Sequence, residues 1–170
     1  RVISKDSSGN IWLGTEMDGL FKIPYKLLGD IEKGEDFELE GHIFDKAFTS
    51  GISSSQITCI TEDKNGVIWV GTNGGLNKYV SEKDNFEHYF VQDGLPSNYI
   101  TGVVVDKTNG LWISSKKGIS FYDQVNSTFT NYSLTDGIGN IDFHRHSYDQ
   151  SSDGSIFFGG PMGITLVNPT

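Results

Sequence analysis

Apolar residues along this chain come in short runs, and most runs end at a glycine-containing turn. Residues 68–79, "IWVGTNGGLNKY", show the unit: an apolar–aromatic pair, a small residue with Thr, a tight turn, then a second run ending in an aromatic. Nearly the same phrase stands at 11–23 ("IWLGTEMDGLFKI"), at 111–122 ("LWISSKKGISFY") and at 156–167 ("IFFGGPMGITLV"). Short runs rich in β-branched and aromatic residues, bounded by Gly and Asn, predict strands joined by hairpins. Helix-length periodicity is missing throughout.

The phrase aromatics Trp12, Trp69, Trp112 and Phe157 lie 57, 43 and 45 residues apart. A base period of about 43–45 falls among four-stranded propeller blades, at about 40–45 residues per blade. The second unit divides into "ITCITED", the turn "KNG", "VIWVGT", the turn "NGG", "LNKYV", the polar loop "SEKD" and a fourth strand "NFEHYFV" at 85–91. The third repeats that order. The predicted fold is therefore all-β: a β-propeller fragment of about four blades, each a four-stranded antiparallel sheet. Residues 1–56 form the first blade, with a long acidic insertion at about 24–47. Residues 57–99 form the second, 100–142 the third and 143–170 an incomplete closing blade, all within one propeller domain. The insertion reads as a long excursion between third and fourth strands, a bland surface loop or a partner-docking loop.

Strands apolar on both faces must be covered on both sides, which neighbouring blades of a propeller do. The four phrase aromatics are thus expected to be buried in equivalent places. The small residue two positions later (Gly14, Gly71, Ser114, Gly159) marks a crowded approach. The Asp before each hairpin (Asp6, Asp63, Asp106, Asp149) is expected to bond turn amides. The chain enters in a first strand and stops just past the third strand of its fourth unit. Both end blades should then expose apolar faces, and the last an unpaired edge. Self-association, or docking on remaining blades of a longer protein, is expected.

The chain has 170 residues, 36% hydrophobic and 12% aromatic, enough for one domain with a core. Its net charge of −9 argues against a nucleic-acid backbone or an anionic membrane surface as partner. The single cysteine, Cys59, forms no internal disulfide and reads as a buried structural residue. No apolar run approaches the ~20 residues a membrane helix needs.

Catalytic constellations are scarce. "HRH" at 144–146 would put His144 and His146 on one face of a strand, but no third ligand at a fixed spacing accompanies them. They read as surface or strand-edge histidines, and no metal or cofactor is assigned. "SSDG" and "GGPMG" open no helix and read as turns rather than phosphate cradles. Lys116 and Lys117 stand in a turn, facing solvent or an anionic sugar. The turns after second strands and the connections after fourth strands should share one face, where loops on a rigid scaffold carry binding groups. The candidate binding residues there are Asp18, Asn73, Asn98, Lys117, Asn140 and Asp142.

Asp63, Gly66, Ile68, Trp69, Gly71, Thr72, Gly75, Leu76 and Tyr79, followed by Phe86, Tyr89, "DGLPSN" (93–98) and Ile100, resemble the two-component regulator propeller repeat. The third unit departs from it at Ser114, Ser115 and "DGIGN". The last resembles that family's closing blade. The resemblance implies the periplasmic sensor region of a Bacteroides-type hybrid two-component histidine kinase, part of an inner-membrane protein. It also implies a following immunoglobulin-like domain, a response to glycan-derived oligosaccharides and control of polysaccharide-utilisation genes. The region itself would be non-catalytic. Two alternatives remain: a propeller enzyme of the streptogramin-lyase type, and a purely structural protein-interaction propeller.

Overall fold

The computed structural model describes residues 2–34, 41–42 and 51–169. The chain runs through β1 (Val2–Lys5), β2 (Ile11–Gly14), β3 (Leu20–Ile23), α1 (Tyr25–Glu32) and β4 (Gly41–His42). It continues through β5 (Ile57–Glu62), β6 (Ile68–Thr72), β7 (Gly75–Val80) and β8 (Asn85–Tyr89), then β9 (Ile100–Val105), β10 (Leu111–Ser115), β11 (Gly118–Asp123) and β12 (Thr128–Tyr132). The last three strands are β13 (Tyr148–Gln150), β14 (Ile156–Gly160) and β15 (Gly163–Val167). Strands adjacent in sequence pair antiparallel, giving sheets β1–β4, β5–β8, β9–β12 and β13–β15. The architecture is all-β, with propeller-like meandering sheets and, among the described residues, one short α-helix.

Three cores lie between successive sheets rather than inside any one of them. Trp12, Leu20, Ile57, Val70 and Phe86 cluster between the first two sheets. Cys59, Trp69, Leu76, Ile100 and Tyr122 cluster between the second and third. Val104, Ile119, Phe143, Ile156 and Phe158 cluster between the third and fourth. Side chains alternate across a strand, so each sheet turns one face to the blade behind and the other to the blade ahead. In the first two blades the aromatic of the second strand meets an aromatic on the next blade's third strand, while Trp112 packs on Phe121 and Tyr132 of its own sheet. Trp12 packs edge-on to Tyr79 at 5.0 Å, and Trp69 packs against Tyr122 at 5.7 Å. The small residues mark where the next blade inserts. A Cβ on Gly14 would lie 2.5 Å from Ile57, and one on Gly71 would lie 2.8 Å from Ile100.

The expected equivalence of the four aromatics holds only where a further blade covers them. Trp12 and Trp69 are buried, Trp112 is half-buried, and Phe157 is 36% exposed. Ile164 stands where Leu20, Leu76 and Ile119 are fully buried, yet it is 74% exposed. No blade among the described residues lies against that face of the last sheet. A depression of about 360 Å³ opens there, beside Ser147, Phe157, Gly159 and Ile164.

The hairpin aspartates behave as expected in three blades. Asp6 accepts from the Asn10 amide at 2.9 Å, Asp63 from the Asn65 amide at 2.8 Å and Asp106 from the Thr108 amide at 2.8 Å. Each also accepts from its own blade's indole: Trp12 at 2.9 Å, Trp69 at 3.1 Å and Trp112 at 3.0 Å. In the fourth blade the position six residues before the aromatic is Ser151, not Asp149, and the expectation is corrected accordingly. The turn bonds Ser151 N to Ser155 O and Gly154 N to Ser151 O repeat those of Asp63 with Val67 and Gly66. Asp149 lies in β13 and bonds the amide of Gln150. The Phe157 ring has no N–H to offer, so no carboxylate is needed opposite it. Asp153 binds the turn instead, held at about 2 by the Ser151 hydroxyl and the Ser155 amide.

Two further expectations change. The insertion at about 24–47 opens with a helix, α1, rather than a loop; residues 35–40 and 43–47 lie outside the described residues. Pro24 precedes α1, and its carbonyl accepts from Leu27 N at 2.9 Å. The strand expected at 85–91 stops at Tyr89, and a 3-10 turn follows at Val91–Asp93. Asp93 accepts from Phe90 N at 2.8 Å, and Gly94 takes the left-handed conformation at φ 116°. Leu134–Asp136 and Gly137 repeat this turn after β12, so the two "DG" pairs are its caps.

Candidate functional site

The turns after second strands form one rim with the connections that enter first strands. A hydroxyl clasps each of the first three turns. Thr15 Oγ1 donates to Gly19 O at 3.0 Å, Thr72 Oγ1 to Gly75 O at 2.9 Å and Ser115 Oγ to Gly118 O at 3.0 Å. Backbone bonds tie these turns to the incoming connections: Gly19 N to Ser55 O, Asn73 N to Gln56 O and Lys116 N to Tyr99 O, at 3.1–3.2 Å.

All six candidate residues belong to segments of this rim, with different freedom. Asp18 and Lys117 are exposed at turn tips. Asn73 is exposed but engaged, accepting from Ser54 Oγ at 2.5 Å and donating to Gln56 Oε1 at 2.7 Å. Asn98 caps the 3-10 turn, accepting from Val91 N at 2.8 Å. Asp142 pairs with Lys116 at 2.6 Å. Asn140 is buried, and both of its amide atoms are used: it accepts from Met162 N at 2.8 Å and donates to Gly163 O at 3.2 Å. Gly160 stands where Thr72 and Ser115 stand in earlier blades, so this turn has no hydroxyl of its own. Asn140 supplies the missing clasp.

The rim also holds an opening of about 500 Å³ that the candidate set did not include. It is lined by Glu16, from the first blade's turn, and by His144, Arg145 and His146, from the connection entering the fourth. The segment 144–146 is not a strand. His144 N bonds Gly159 O at 3.0 Å, Gly159 N bonds Ser147 O at 2.6 Å, and His146 takes a left-handed φ of 60°. The expectation of two histidines on one strand face is thereby corrected: two imidazoles and a guanidinium line one opening. Opposite them, Glu16 Oε1 lies 3.7 Å from Arg145 Nη1. A long, single contact between partly exposed groups contributes about 0–1 kcal/mol and is readily exchanged. The sequence signal was the "HRH" triplet itself, but nothing local placed Glu16, 128 residues earlier, across from it.

No group of three or more His, Cys, Asp or Glu among the described residues is placed to hold a metal ion. Burial pushes the Cys59 thiol up to about 12, so it packs as an apolar residue and is not a nucleophile at neutral pH.

Residues 51–74 and 94–117 match the family model of the two component regulator propeller. The fold is similar to the extracellular domain of a B. thetaiotaomicron protein described as a hybrid two component system, BT3049. That likeness has 25% identity and a TM-score of 0.82, over 99% of this chain and 21% of that one. The chain therefore spans about a fifth of that domain (21%). Virginiamycin B lyase from Staphylococcus aureus shares the fold at 16% identity and a TM-score of 0.65, over 99% of this chain and 55% of the lyase. PorZ, of the type-IX secretion system of Porphyromonas gingivalis, shares it at 14% identity and a TM-score of 0.62, over 98% of this chain and 24% of that one. No curated protein matches the chain.

Proposed function

The chain carries two-component regulator propeller repeats, and we propose that it is a blade arc of the periplasmic sensor region of a hybrid two-component system. The observation that carries this reading is the likeness along nearly the whole chain to one such extracellular domain, with family repeats in the second and third blades. In this reading the region is non-catalytic and belongs to an inner-membrane histidine kinase with a phosphorelay. It recognises glycan-derived oligosaccharides, or passes their signal through a following immunoglobulin-like domain, and so controls polysaccharide-utilisation genes. A rim of short, mutually bonded turns supports a binding role, because rigid loops lose little entropy on meeting a ligand.

Calorimetric titration of the intact extracellular region with a panel of depolymerised glycans tests this. At least one oligosaccharide should bind and be recovered unchanged. Binding by none, with no reporter induction in cells carrying the full receptor, would refute the reading. The lyase alternative rests on shared fold at 16% identity. Incubation with a streptogramin should leave the substrate intact; ring opening would establish that alternative.

A further inference from the structure

We infer that the opening lined by Glu16, His144, Arg145 and His146 binds the carboxylate of an acidic sugar. This deepens the sensor reading above, on which the sugar part rests; the anion part rests on the site's own chemistry. Three nitrogen-bearing side chains come from consecutive positions in a connection pinned to the fourth sheet by two backbone bonds. A guanidinium flanked by imidazoles offers a planar donor fork suited to a carboxylate. A carboxylate already stands there: Glu16 reaches across from the first blade, but only to 3.7 Å and through one oxygen. A ligand carboxylate taking two parallel N–H donors along one guanidinium edge makes the stronger contact and displaces it.

The surroundings select the ligand class. All four described lining residues carry polar or charged groups, which suits a polar guest better than a hydrophobic one. Its volume of about 500 Å³ suits a one- or two-sugar unit rather than a bare ion. Of the two neighbouring lysines on the rim, Lys116 is paired with Asp142 at 2.6 Å, whereas Lys117 stands at a turn tip as a point charge without a planar donor fork. The opening also joins the turn of the first blade to the connection entering the fourth, which are separated by two blades in the arc. A ligand held between Arg145 and the first blade's turn would bridge the arc.

The experiment titrates the intact extracellular region with three probes: a uronic-acid disaccharide, its neutral counterpart and inorganic sulfate. The acidic disaccharide should bind, and raised salt should weaken it. Arg145→Gln should lower its affinity at least tenfold, while Glu16→Gln should raise it several-fold by removing the internal competitor. Both side chains are partly exposed at the surface, so both variants should unfold at the wild-type temperature. The gain in Glu16→Gln is a readout that misfolding does not mimic. Equal binding of the neutral disaccharide, or acidic binding that Arg145→Gln leaves unchanged, overturns the site while leaving the sensor reading standing. Sulfate displacing the disaccharide at equal concentration overturns the sugar assignment.

Discussion

The indole–carboxylate pair is the residue-scale signature of this chain. Trp69 Nε1 donates to Asp63 Oδ2 at 3.1 Å while the same carboxylate accepts two turn amides. Trp69→Phe keeps most of the ring contact but orphans one carboxylate oxygen, and should cost about 1–3 kcal/mol. Asp63→Asn should cost a similar amount. Urea unfolding of both singles and the double should reveal a coupling of about 1 kcal/mol; strictly additive losses would contradict the pair. The same bonds set an acid limit. Burial pushes the Asp6 carboxyl up, but bonds from the Trp12 indole and from Asn10 outweigh it and hold it below its ordinary value. For Asp106, burial is likewise outweighed by the Thr108 hydroxyl, the Gly110 amide and the Trp112 indole. A carboxyl whose pKa is lower folded than unfolded contributes stability above the unfolded pKa, and loses it as pH falls through the folded one. Thermal unfolding should therefore be nearly flat near neutrality and decline below about pH 4. Asp6→Asn with Asp106→Asn should start lower and decline less steeply; parallel curves would remove these two residues from the acid limb.

At the scale of elements, burial differs sharply along the chain. All five residues of β6 are buried, clamped between β5 and β7 and covered by blades on both faces. The described side chains of α1 include none that is buried, and its eight residues fall below the ~12–15 that an isolated helix needs in water. Amide hydrogen exchange should show β6 among the slowest segments and α1 exchanging orders of magnitude faster. Protection of α1 comparable to β6 would mean that the helix packs more firmly than its exposure indicates.

At the scale of the whole molecule, both end sheets leave apolar side chains exposed. The last turns Phe157, Ile164 and Leu166 outward, the face that in earlier blades receives an Ile and an aromatic from the next. The first exposes Ile3, at 76%, on its opposite face. A second copy can present its first blade to this last blade, and the reciprocal contact closes a two-fold ring. Light scattering on the 170-residue chain at micromolar concentration should give a mass above the monomer, and Ile164→Glu should return it to the monomer. A monomer with sharp thermal unfolding would show that these faces need no partner.

The sequence alone determined the strand order within each blade, the crowded Gly positions and three of the four hairpin aspartates. These rest on local spacing: a turn amide and its acceptor lie within four residues of each other, and a hairpin closes on its own neighbours. Tertiary structure decided the rest. Phe157 looks like Trp69 in sequence, yet burial depends on what stands opposite, and only Trp69 has a following blade against it. Ser151 rather than Asp149 opens the fourth hairpin, and Asp153 binds its Ser155 amide, because the register of β13 with β14, not proximity in sequence, defines the turn. Asn140, read as a binding residue, became a clasp once Gly160 took a position that earlier blades fill with a hydroxyl. The triplet at 144–146 acquired a shape, and a carboxylate facing it, only when folding brought Glu16 across the arc.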